Sequence, residues 1–121
     1  MFDVKTPVLC VLLAMTACAA TPSAEDAQMA NALCDQGKTL LVSGKKDQAR
    51  DVYASATMRD PTNPRTWNGL GVANDLLGKR AEAAAAFDQA LNLSPDDRTL
   101  ASNRAHVAIE AEDYDLLMIA I

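Results

Sequence analysis

The side chains able to do chemistry in this chain are few and scattered. His106 is the one histidine, and no second histidine or close cysteine stands beside it to complete a metal set or a nucleophile–base pair. The acid pairs Glu25-Asp26, Asp96-Asp97 and Glu112-Asp113 fall where helix starts or turns are expected. Carboxylates there favour the helix dipole and need no catalytic task. Asn68-Gly69-Leu70-Gly71 carries two glycines of a dinucleotide loop, but no strand-like run precedes it and Asn74 stands in place of the third glycine. Gly78-Lys79-Arg80 lacks the upstream glycine and the hydroxyl of a phosphate-binding loop. Cys34 reads as a small apolar side chain packed on a helix, not as a nucleophile. No catalytic residue, metal ligand or cofactor is expected, so function belongs on a surface.

The elements that carry this surface are announced by an echo at a spacing of 34 residues. Ala49, Tyr53, Ala56 and Pro61 reappear as Ala83, Phe87, Ala90 and Pro95. A fixed period of this size marks a solenoid of helical hairpins. Gly44 and Gly78, again 34 apart, supply the tight turns inside two hairpins. Asn63-Pro64 offers a helix cap followed by proline at the first helical position, and Pro95 closes the second helix of the second hairpin. Half the 121 residues are apolar, yet only 4% are aromatic, and the β-branched runs of a sheet are absent; that composition suits close-packed helices. A net charge of -5 without a basic stripe excludes nucleic acid, whose binding needs cations to displace phosphate counterions.

In register, Trp67, Leu70, Gly71, Ala83, Phe87, Ala90 and Pro95 resemble the tetratricopeptide pattern, with Asn74 where an aromatic is usual. The resemblance implies an all-α, right-handed superhelical stack of about two and a half to three antiparallel helix hairpins: repeats at 30–63, 64–97 and a partial 98–121. Gly71 and Ala83 would let paired helices approach, while Trp67 and Phe87 would fill the space between hairpins. The first helix is expected to start near Glu25. The third repeat keeps Ala105 at the glycine position, places Leu117 where alanine is usual, and stops at Ile121. Its apolar end, Leu116 to Ile121, either is covered by a partner or seals the open edge of the second repeat.

In this pattern the first helix of each hairpin lines a groove. Lys38, with Asn31, Cys34, Asp35 and Leu41, comes from the first; Arg65, Asn68, Val72 and Asp75 from the second; Thr99, Ser102, Asn103, His106 and Glu110 from the third. Such a mixed surface suits an extended or helical peptide segment. It is unlike the chaperone-tail clamp of the superfamily, because Gly69 and Thr99 stand where side chains would hold a terminal carboxylate.

Upstream of the repeats, the apolar run Val8 to Met15 is far below the roughly 20 residues needed to span a bilayer, and a secretory signal over 1–17 is expected. Met15-Thr16-Ala17-Cys18 resembles the bacterial lipobox, which implies a lipid anchor on Cys18 and a polar tether over 18–27; ordinary signal cleavage near Ala20 is the alternative. By resemblance to proteobacterial lipoproteins, Ala19 implies the periplasmic face of the outer membrane. With Cys10 removed and Cys18 acylated, Cys34 has no disulfide partner.

The segments from Leu70 to Gly78, Ala81-Glu82-Ala83 and Leu93-Ser94-Pro95-Asp96-Asp97 are similar to the lipoprotein family of the tight-adherence (Flp) pilus machinery. That resemblance implies a non-catalytic accessory of pilus assembly and secretion, with protein segments of the secretion apparatus as partners. A general periplasmic adapter for envelope assembly shares the same anchor and groove.

Overall fold

The computed structural model describes residues 21–120, with side chains as far as Ala111. Five helices follow one another: α1 (Ala24–Val42), α2 (Lys46–Arg59), α3 (Pro64–Leu76), α4 (Arg80–Leu93) and α5 (Arg98–Ala120). There is no strand among the described residues. α1 packs on α2 and α3 on α4 as hairpins; α2 meets α3, and α4 meets α5. α3 also touches α1 on one side and α5 on the other, which makes an all-α stack of two hairpins and a fifth helix.

Helix ends follow from local chemistry. Ser23 and Asp26 form a capping box: Ser23 Oγ accepts from the Asp26 amide at 3.0 Å, and the Asp26 carboxylate accepts from the Ser23 amide at 3.3 Å. The hydrogen bond from Ser23, helped by Arg59 at 3.2 Å, holds the Asp26 carboxyl below the usual carboxylate range. The tether expected over 18–27 is therefore shortened, since 24–27 are the first turn of α1; Cys18 lies outside the described residues. Gly44 and Gly78 adopt φ of 79° and 76°. At both turns the glycine amide and the next one bond back to the last helical turn, Lys45 to the Leu40 carbonyl and Lys79 to the Asn74 carbonyl, each at 2.9 Å. Asn63 Oδ1 caps α3 through the Arg65 amide at 3.0 Å, with Pro64 at the first helical position. Asp97 caps α5 in the same way through the amides of Thr99 and Leu100.

The partial third repeat is present as one long helix, so the stack has two and a half repeats. Adding the repeat spacing to Gly78 leads to Glu112, and α5 runs through that position without a turn to Ala120. Without a glycine to take positive φ, nothing local ends the helix. Glu112-Asp113 thus lie inside a helix and not at a start or turn. The side chains of Leu116 to Ile121 lie outside the described residues.

Packing rests on two aromatic rings set among alanines and glycines. Tyr53 packs with Cys34, Ala56 and Ala73; Phe87 packs with Ala83 and Val107. Ala30, Ala49, Ala56, Ala83 and Ala90 are fully buried, so helix backbones come close wherever the repeat demands a small residue. A Cβ on Gly37 would sit 2.7 Å from Tyr53 Cε2, and one on Gly71 would sit 2.6 Å from Phe87 Cε1. Trp67 is a correction to the expected packing. It is half-buried at the margin of the second hairpin, its Nε1 donating to the Pro61 carbonyl at 2.8 Å, and the buried neighbour is Thr66. Thr66 Oγ1 donates to the Asn63 carbonyl at 2.7 Å, so both side chains fasten the turn between α2 and α3. No helix of the described residues is long and apolar enough to cross a membrane.

Candidate functional site

Because α1, α3 and α5 touch in series while α2 and α4 alternate with them, the odd-numbered helices share one face. Lys38, Arg65, Asn68, Asp75, Asn103 and His106, predicted as groove residues, all belong to these three helices. Folding ties several residues of this face across hairpins. Arg65 Nη2 donates to Asp35 Oδ1 at 2.5 Å, and this hydrogen bond raises the guanidinium pKa further. Asn103 Nδ2 donates to Asn68 Oδ1 at 2.9 Å, and Asn63 Nδ2 to Asn31 Oδ1 at 3.0 Å. The face is therefore cross-tied by polar pairs before any partner arrives. Surface ion pairs of this kind are worth about 0.2–1 kcal/mol each, so their effect is to set side-chain positions more than stability.

Between α3 and α5 these ties leave a cleft of about 230 Å³ lined by Pro64, Arg65, Asn68, Asp97, Thr99 and Leu100. Lys38 is exposed one hairpin away on α1. Three expected groove residues belong to the core instead, Leu41 among them, packed against the cluster around Tyr53. Val72 packs against the core around Phe87, and Cys34 is buried beneath Tyr53 with 1% exposure. Burial pushes the Cys34 thiol pKa up, which removes the thiolate that reactivity needs.

Further along the same face Asp75, His106 and Glu110 converge, their ligand atoms lying within 4.8 Å of one another. His106 Nε2 is 3.1 Å from Glu110 Oε1, and Arg80 Nε is 3.5 Å from Glu110 Oε2. Burial, and then the neighbouring Glu110 charge, push the Asp75 carboxyl above its ordinary pKa. Searching for a second histidine or cysteine around His106 could not find this cluster, because its other members are carboxylates, one of them supplied by another hairpin.

A larger cleft, about 540 Å³, lies away from this face on the outer side of the first hairpin, lined by Met29, Leu33, Ser55, Met58 and Arg59. Met58 is 85% exposed and Met29 43%.

A scan of protein families matches residues 34–98 to the tetratricopeptide repeat. The chain belongs to the tetratricopeptide-repeat family. Members of this family build interaction scaffolds from stacked hairpins, and the groove faces of α1, α3 and α5 are of that kind. Among solved structures, the first tetratricopeptide domain of Spaghetti (RPAP3) bound to an HSP90 peptide, SRMEEVD, is similar at 26% identity with a TM-score of 0.68, covering 73% of this chain and 72% of that one. The tandem tetratricopeptide domain of yeast Sti1 in complex with HSP90 shares the fold at 20% identity and a TM-score of 0.69, over 95% of this chain and 44% of that one. A curated relative, mouse Protein O-mannosyl-transferase TMTC1, is 30% identical over 70 residues, 58% of this chain. This tetratricopeptide chain spans 7% of that relative's length.

Proposed function

We propose that this tetratricopeptide protein is a non-catalytic scaffold of the bacterial envelope that holds a peptide segment of a client on the face of α1, α3 and α5. The observation that carries the reading is the cleft between α3 and α5, where Arg65 and Asn68 stand beside Thr99 around open space. Peptide binding by a related domain at 26% identity supports it. Arg65 is already paired with Asp35, and Gly69 and Thr99 offer no clamp for a terminal carboxylate, so the client segment is internal, extended or helical.

The anchor in this proposal is Cys18, lipidated on the periplasmic face of the outer membrane. Several acyl chains on one cysteine hold a protein to a membrane stably. The clients are components of the tight-adherence pilus secretion machinery.

Crosslinking in cells followed by capture of the chain tests the groove. Replacing Arg65 and Asn68 together by Ala should abolish recovery of a pilus secretion component; undiminished recovery defeats the groove assignment. Radioactive palmitate should label the wild-type chain and not Cys18→Ser, and an unlabelled wild type defeats the anchor. Recovery of envelope proteins unrelated to pili would favour the general adapter.

A further inference from the structure

The meeting of α3 and α5 places an imidazole and two carboxylates around one point. His106 and Glu110 are one helical turn apart on α5, and their facing atoms, Nε2 and Oε1, are 3.1 Å from each other. Two ligands each about 2.0–2.2 Å from one ion, at tetrahedral or octahedral angles, stand roughly 3.0–3.5 Å apart. Asp75 closes the third side from the last turn of α3, and the three ligand atoms lie within 4.8 Å of one another. Arg80 lies 3.5 Å from the other Glu110 oxygen, Oε2, and leaves Oε1 directed at His106. Such outer contacts orient a ligating carboxylate. His106 is exposed while Asp75 and Glu110 are half-buried, so an ion has a path in and water can complete its shell.

We propose that Asp75, His106 and Glu110 bind a divalent first-row transition cation, with zinc the best fit, and that this ion bridges α3 to α5. One imidazole and two carboxylates match the nitrogen and oxygen ligands of zinc, whereas calcium and magnesium take oxygen alone. The bridge has a mechanical use. α5 has no hairpin partner among the described residues and is held by α4 and α3; an ion shared with α3 would fasten the last helix of the groove.

The test uses the full-length chain purified without a histidine tag. Calorimetric titration with zinc chloride should show one saturable site, and the melting temperature should rise with zinc. His106 is the one histidine, so its imidazole NMR resonances should shift on zinc addition and not on magnesium. His106→Ala and Asp75→Asn should each weaken binding at least about tenfold while helical circular dichroism is retained. No heat on titration overturns the proposal, as does zinc binding that leaves the imidazole resonances unmoved, which would place the ion away from His106. Loss in His106→Ala with full affinity in Asp75→Asn reduces the site to a pair on α5 and overturns the bridge.

Discussion

Tyr53 and Gly69 share one space: the Tyr53 ring, carried by α2, occupies the position that a Cβ of Gly69 on α3 would take. The opposite edge of the same ring faces Gly37 on α1, where a Cβ would lie 2.7 Å from Cε2. One buried ring thus wedges between two glycines from different hairpins, and it is the contact that sets how closely α1 and α3 approach.

Gly69→Ala should destabilise the fold by about 1–3 kcal/mol, the usual cost of overpacking a filled core. Urea denaturation checks this. Because the clash is with one ring, Tyr53→Leu should absorb much of the alanine penalty, and a double-mutant cycle should show strong coupling; additive effects would mean the ring is not the obstacle.

Phe87→Ala removes a side chain with 1% exposure that packs against Ala83 and Val107. The expected loss is about 3–5 kcal/mol, seen as a melting midpoint lowered by well over ten degrees in a domain of this size, at roughly 4–8 °C per kcal/mol. An unchanged midpoint would contradict the packing of α4 against α5.

Gly78 has φ of 76°, and no other group lies within 4 Å of the point a Cβ would occupy, so its substitution isolates backbone strain from crowding. Gly78→Ala should cost about 1–2 kcal/mol, and Gly78→Asn less, because asparagine tolerates the left-handed region. Equal melting temperatures for the two variants would argue against a conformational cause.

The capping box at Ser23 gives a pH dependence with a definite sign. Hydrogen bonds from Ser23, and then Arg59, lower the Asp26 carboxyl in the folded state from its unfolded value of 3.8. Its contribution is therefore present above pH 3.8 and is lost as pH falls through the lower folded value. The difference in melting temperature between wild type and Asp26→Asn should be largest at neutral pH and should shrink towards zero in acid. A difference that stays constant into acid would show that the carboxylate charge is not involved.

How far the sequence reaches can be judged residue by residue. Asn63, Pro64, Gly44 and Gly78 act where the pattern placed them, since caps and turns depend on atoms a few residues away. Ala49, Ala56, Ala83 and Ala90 are buried as the period requires. The same local logic holds at Glu112: with no turn glycine there, α5 continues and the stack stops at two and a half repeats. Trp67 departs because Thr66 takes the buried position beside it and the indole finds the Pro61 carbonyl.

By itself the sequence determined the period, the helix ends, the turn glycines and the tetratricopeptide family, all of which depend on residue type at short separation. Only the tertiary structure decided which groove side chains meet. Asp35 pairs with Arg65, Asn68 with Asn103, and Asp75 converges with His106 and Glu110. Those contacts depend on how each hairpin is rotated against the next. That rotation is set by rings such as Tyr53 seated against glycines of two hairpins, and a spacing of 34 residues does not specify it.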